Sequence, residues 1–147
     1  MKEPIRLIVV EDDPQVCERF ERTFGEAPEI EVLAWASTAA QAIAALETHK
    51  PDVLLVDLGL PDANGITVIQ RAHALHPECD IMVVTVFGDQ RNVLASIEAG
   101  ATGYLLKDDT QESFVSRIIE LREGGSPITP IIARQLLRRL LPTPSDP

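Results

Sequence analysis

Four positions in this chain of 147 residues carry side chains whose types and spacing could do chemistry together. The acidic triplet Glu11-Asp12-Asp13 follows the apolar run Leu7-Ile8-Val9-Val10. A single acid, Asp57, follows Val53-Leu54-Leu55-Val56. A hydroxyl, Thr85, follows Met82-Val83-Val84, and a cation, Lys107, follows Tyr104-Leu105-Leu106. Carboxylates gathered in one cleft raise one another's pKa or demand a cation. Hard divalent cations take oxygen ligands, and Mg²⁺ keeps several waters while using few carboxylates. Asp13 alone reads more simply as a helix N-cap, because Pro14 follows it. Glu11, Asp12 and Asp57, taken with Lys107, are not explained by capping. His49, His73 and His76 fall on helical or loop segments away from these positions and are not counted with them.

The elements that must position these residues alternate along the chain. Ile5 to Val10, Glu31 to Ala36, Asp52 to Val56, Ile81 to Val84 and Gly103 to Leu106 are aliphatic or β-branched runs of strand length. Several are apolar at successive positions, as strands covered on both faces must be. Between them lie amphipathic segments with start and stop signals. Asp13-Pro14 opens one with Val16, Phe20 and Phe24 on a common face. Ser37 and Thr38 can cap a second, carrying Ala39, Ala42, Ile43 and Leu46. Asn64-Gly65 opens a third with Val68, Ile69, Ala72 and Leu75, ended by Pro77. Arg91 to Ala99 gives a fourth, stopped by Gly100. Thr110 can cap a fifth, with Glu112 in its first turn and Phe114, Val115, Ile118, Ile119 and Leu121 on its apolar side.

Five strand-then-helix units imply an α/β fold with a doubly wound, five-stranded parallel sheet, because parallel neighbours need crossover helices and right-handed crossovers cover both faces. Such sheets place their sites beyond the carboxyl ends of the strands. All four chemical positions are at those ends.

Composition limits the classes of function. The chain is 45% hydrophobic with a mean hydropathy of +0.05, enough to close a core. Its formal charge is −10, which disfavours nucleic-acid or anionic-membrane binding by this chain alone. No apolar run approaches the roughly 20 residues of a membrane span, and Met1-Lys2-Glu3-Pro4 lacks a signal-peptide core, so a cytoplasmic location is expected. Cys17 and Cys79 have no CxxC pairing and suggest neither a disulfide framework nor a zinc site. The acidity is uneven: residues 125–147 hold Arg134, Arg138 and Arg139 against Asp146, and the rest of the basic and acidic residues precede them. Gly124-Gly125-Ser126-Pro127 ends a helix and begins a connector. We therefore divide the chain at this point, into a domain over 1–124 and a linker over 125–147.

The ordered set Val9-Val10-Glu11-Asp12-Asp13-Pro14, Pro51 to Pro61 around Asp57, Asn64-Gly65, Thr85 and Gly100-Ala101-Thr102-Gly103-Tyr104-Leu105-Leu106-Lys107 resembles the receiver domains of bacterial two-component response regulators. That resemblance implies a flavodoxin-like sheet in the order 2-1-3-4-5 and a phosphorelay role rather than an enzyme's. Asp57 is then the phosphoacceptor, taking a phosphoryl group from a sensor histidine kinase. Glu11 and Asp12, with Asp57 and the backbone carbonyl of Gly59, are the implied Mg²⁺ ligands; a pairing of Asp12 with Asp13 is the alternative alignment, disfavoured because the apolar strand ends at Val10. Lys107 offsets phosphoryl charge. Thr85 is the implied switch hydroxyl and Tyr104 the aromatic that moves with it, altering the face made by the fourth helix, fifth strand and fifth helix. Gly59 and Phe87 occupy positions where receivers vary and where phosphoryl lifetime is tuned. Without the resemblance, Thr85 reads as a good strand residue and Tyr104 as packing.

The tail extends the resemblance to LuxR-type regulators. Gly124 to Ala133 looks like their linker to a helix-turn-helix domain. Thr129-Pro130 opens a short sixth helix in which Ile132, Leu136 and Leu140, with Ala133, Leu137 and Leu141, form an apolar stripe opposite the three arginines. The reading is a receiver plus linker of a transcription factor, DNA being reached through an output domain outside this chain, with self-association through the sixth helix as a further expectation. Two other classes compete. A Mg²⁺-dependent phosphohydrolase using Asp57 wants a second carboxylate two residues on, where Gly59 stands. A stand-alone receiver or unphosphorylated pseudo-receiver would act by protein contact alone; the latter predicts the loss of an essential site residue, and none is missing here.

Overall fold

The computed structural model describes residues 3–86, 92–107 and 111–140. Five strands, β1 (Ile5–Val10), β2 (Ile30–Ala36), β3 (Val53–Val56), β4 (Asp80–Thr85) and β5 (Gly103–Leu106), form one parallel sheet in the order β2-β1-β3-β4-β5. Six helices accompany them: α1 (Pro14–Gly25), α2 (Ala39–Thr48), α3 (Gly65–Leu75), α4 (Val93–Ala99), α5 (Gln111–Arg122) and α6 (Pro130–Leu140). The doubly wound sheet inferred from the alternation of runs is the observed one.

Strand alternation divides the core in two. Ile8, Val10, Leu54, Val56, Ile81, Val83, Tyr104 and Leu106 point to one face, where α2, α3, α4 and α6 cover them. Leu7, Val9, Val53, Leu55, Met82, Val84 and Leu105 point to the other, packed against α1 and α5. Successive apolar residues are thus used by opposite layers, as the unbroken apolar runs require. Phe20 links the α1 and α5 layers, its ring 5.3 Å from Phe114 in an edge-on arrangement.

The caps form where the sequence places them in three helices. Asp13 accepts the Gln15 N–H at 2.9 Å, Thr38 the Gln41 N–H at 3.1 Å and Asn64 the Ile66 N–H at 2.9 Å. Boundaries shift by a residue or two elsewhere. β2 begins at Ile30, β4 spans Asp80–Thr85, and β3 begins at Val53, just after Asp52, whose carboxylate accepts the Arg6 N–H at 2.9 Å. α4 begins at Val93, with Asn92 at its cap position. Arg91, Phe87, Thr110 and Leu141, on which parts of the expectations rest, lie outside the described residues.

After α5 the chain leaves through Gly124, at φ 102°, a conformation favouring glycine. It then runs beside β5. The Tyr104 N–H donates to Pro127 O at 2.9 Å, the Thr129 N–H to Tyr104 O at 3.0 Å, and the Leu106 N–H to Thr129 Oγ1 at 3.2 Å. The outer edge of β5 is thereby covered, a common protection for an edge strand. Ile132, in the first turn of α6, is fully buried in the same core layer as Tyr104, while Leu137 and Leu140 are exposed.

Candidate functional site

Parallel strands end together, so the residues that follow β1, β3, β4 and β5 meet at one rim of the sheet. Backbone bonds fix the rim: the Asp57 N–H donates to Val10 O at 2.9 Å, and the Lys107 N–H to Thr85 O at 2.7 Å. Glu11, Asp12 and Asp57 each place a carboxylate oxygen within 4.8 Å of the others. Lys107 reaches into this group, its Nζ 2.8 Å from Glu11 Oε1 and 3.0 Å from Asp57 Oδ2. The remaining oxygens of the two buried acids are also bonded: Glu11 Oε2 accepts the Asp13 N–H at 3.0 Å and Asp57 Oδ1 the Gly59 N–H at 3.2 Å. Asp12 is exposed at the mouth.

Burial and pairing oppose each other here. Burial pushes the Glu11 carboxyl up, against the lowering pull of its Lys107 bond, and the neighbouring Asp57 adds to the rise. Burial pulls the Lys107 ammonium down, but its bonds to Glu11 and Asp57 outweigh this and hold it above its ordinary value. Lys107 is therefore charged through the neutral range. With the acids ionised, three carboxylates face one ammonium, and the residual negative charge with its all-oxygen donor set fits a hard divalent cation. A cation of that kind would sit among Glu11, Asp12 and Asp57.

Thr85 is buried at the end of β4, paired with Leu106 of β5. Tyr104 is buried one layer deeper, in register with Val83 and bonded through its backbone to Pro127 and Thr129. Gly59 lies in the β3–α3 loop, in an antiparallel bridge with Asn64. None of His49, His73 and His76 reaches the rim: the His76 ring, for example, meets Leu46 O at 2.8 Å on the α2–α3 side. A cavity of about 750 Å³ opens at the opposite end of the sheet, where Arg6, Asp52 and Arg122 pair among themselves.

The sequence matches the family described as response regulator receiver domain over residues 7–119. The chain belongs to the response regulator receiver family. This receiver is 38% identical over 109 residues to the uncharacterized transcriptional regulatory protein YhcZ of Bacillus subtilis, covering 74% of the chain and 51% of YhcZ. It is 28% identical over 149 aligned positions to the nitrate/nitrite response regulator protein NarL of Escherichia coli, covering 99% of the chain and 69% of NarL. Among solved structures, a LuxR-family two-component response regulator from Aurantimonas superposes with a TM-score of 0.83 at 27% identity, over 92% of this chain and 97% of that one. The chain spans about half the length of the first curated relatives it resembles. The receiver and its LuxR/NarL kinship are as the motifs indicated.

Some features of the receiver's site are not visible in its motifs. The Cys17 thiol donates to Glu11 O at 3.3 Å, tying α1 to the acidic turn. Asp62, five residues after Asp57, spans from its loop to the start of α2, accepting the Ala39 N–H at 2.8 Å and the Ala40 N–H at 3.0 Å. Its only sequence signal is an acid after Pro61 in a turn, which does not name its partner.

Among the described residues, no helix is long and apolar enough to cross a membrane.

Proposed function

We propose that this receiver accepts a phosphoryl group on Asp57 from a phosphohistidine of a sensor kinase, and through it controls a transcriptional output. The observation that supports this best is the Lys107 bridge between Asp57 and Glu11 at a rim of three carboxylates. In the transfer, an Asp57 carboxylate oxygen attacks phosphorus, the P–N bond to the kinase imidazole breaks, and an acyl phosphate forms. Lys107 is placed to follow the charge that passes from carboxylate to phosphoryl oxygens. Glu11, Asp12 and Asp57, with the Gly59 carbonyl, are the residues that would hold Mg²⁺. Bound there, the ion supplies positive charge for phosphoryl oxygens that would otherwise face only carboxylates.

Thr85 and Tyr104 are the elements of the response. Thr85 ends β4, and its carbonyl accepts the Lys107 N–H, so the residue lies at the same rim. Tyr104 sits between that rim and the 127–132 segment that continues toward the C-terminus. A change at Asp57 is thereby relayed to the α4, β5 and α5 face and to whatever domain follows α6 in the longer relatives. Residues 125–147 act in this reading as the linker.

Incubation with Mg²⁺ and a small phosphodonor, followed by intact mass, tests the proposal. One labile phosphoryl group is expected on the wild type and none on Asp57→Asn. Steady turnover of many phosphate esters would instead support a phosphohydrolase, and no modification by any donor would support an interaction module.

A further inference from the structure

Residues 57–64 connect β3 to α3 and carry Gly59 between two anchored ends. At the start, Asp57 Oδ1 accepts the Gly59 N–H. At the end, the Gly65 N–H donates to Leu58 O at 2.8 Å, and Gly59 bridges to Asn64. The middle of the loop has a different kind of anchor. Asp62 uses both carboxylate oxygens on α2, a helix that starts 23 positions earlier, taking the Ala39 and Ala40 N–H groups. These belong to the first turn of α2 and have no intrahelical acceptor. The two N–H groups also hold the Asp62 carboxyl below its ordinary range, so it stays an anion and an acceptor at neutral pH.

The start of α2 has its own local cap besides Asp62. Thr38 Oγ1 accepts the Gln41 N–H, and Gln41 Oε1 in turn accepts from the Ser37 N–H at 2.8 Å and Ser37 Oγ at 3.0 Å. The helix is therefore capped locally, and the two Asp62 bonds do something the local cap does not: they fix the middle of the 57–64 loop to a second element of the fold. Among the described residues Asp62 is an exposed acid in the rim's neighbourhood, but its oxygens are committed to α2 rather than to the acidic cluster.

We propose that Asp62 is a positioning residue for the divalent cation, acting by clamping the Gly59 loop to α2 so that the Gly59 carbonyl is held beside Glu11, Asp12 and Asp57. The inference rests on the reading of that rim as a Mg²⁺ site. Groups that orient a metal ligand from outside its coordination sphere typically contribute ten- to a hundredfold to affinity, and a backbone ligand on a loop clamped at one point belongs at the low end.

The test is a calorimetric Mg²⁺ titration of the full chain as wild type, Asp62→Ala, Asp62→Asn and Thr38→Ala, with the Gly59 amide shift followed in parallel. Asp62→Ala should weaken Mg²⁺ binding by about tenfold. Asp62→Asn keeps one acceptor oxygen and should fall between it and wild type. Thr38→Ala weakens the same helix end without touching the loop, and its Mg²⁺ affinity should stay within about twofold of wild type, the scale of a site left unperturbed. Thermal melts of all four establish that each is folded. Wild-type affinity in Asp62→Ala overturns the proposal, and so does an equal loss in Thr38→Ala, which would make Asp62 a helix cap and nothing more. If the wild type binds Mg²⁺ but Asp57 takes no phosphoryl group, the phosphoacceptor reading fails while the clamp is still decided by the titration. If the wild type does not bind Mg²⁺, both fall.

Discussion

Lys107 Nζ lies 3.0 Å from Asp57 Oδ2, a contact that joins two strand ends fifty positions apart. The same ammonium is 2.8 Å from Glu11 Oε1, and both acids are buried. Lys107 is thus the internal counter-charge of a rim that would otherwise hold three mutually repelling carboxylates.

Replacing Lys107 by Met should therefore destabilise the Mg²⁺-free protein by about 3–5 kcal/mol, since breaking a buried pair leaves uncompensated charge. Added Mg²⁺ should restore more stability to the variant than to the wild type, because it supplies the missing positive charge. Urea unfolding with and without Mg²⁺ reads both effects. The pH dependence has a definite sign. The folded-state pKa of Lys107 is raised, so its contribution is present below the unfolded value of about 10.4 and is lost as pH climbs through the folded value. Wild-type stability should fall in that alkaline range more steeply than that of Lys107→Met.

Gly65 is the first residue of α3, and a Cβ there would lie 2.5 Å from Asp57 O and 2.8 Å from the Leu58 Cα. Both obstacles are backbone, so Gly65→Ala must shift the turn that carries Asp57. Alanine's helix propensity favours the variant by at most about 1 kcal/mol, and overpacking costs about 1–3 kcal/mol. The clash wins. The variant should lose net stability in urea titrations and also accept a phosphoryl group more slowly at Asp57.

The rim was legible in the sequence because its residues follow unbroken apolar runs. Val10 and Val56 end strands, and parallel strands ending together bring Glu11, Asp12 and Asp57 to one place. Lys107 was legible for the same reason. The role of Asp62 was not, because its partners Ala39 and Ala40 carry no side-chain signal: a backbone N–H is bonded wherever the fold brings an acceptor. Ile132 shows a related limit. Its helical stripe was readable, but the stripe does not say whether α6 covers this core or another surface, and the backbone bonds of Pro127 and Thr129 to Tyr104 decide it.

Cys79 tests the depth of the core independently of the site. Burial pushes its thiol up to about 12, helped by the nearby Asp80 charge. The reactive thiolate is therefore nearly absent at pH 8. Cys17, half-buried and also raised by burial, should be alkylated slowly in the folded protein, and Cys79 only when the protein is unfolded. Mass mapping of the alkylated cysteines against urea concentration should show Cys79 labelling track the global transition.

Ile132 and Leu137 lie on the same helix but differ in what they touch. Ile132 is fully buried in the layer that contains Tyr104, whereas Leu137 is 64% exposed. If residues 126–140 fold as part of the receiver's cooperative unit, Ile132→Ala removes buried methyl groups and leaves a cavity, at a cost of about 2–5 kcal/mol. Leu137→Ala should stay within about 0.5 kcal/mol of wild type, as surface substitutions do. The Tyr104–Thr129 backbone bonds strengthen the expectation, since opening this segment would also uncover the edge of β5. Urea midpoints of the two variants read the difference directly. A single transition, shifted for Ile132→Ala alone, is the expected result; an early separate transition for that variant would mean that the C-terminal segment unfolds independently of the sheet it covers.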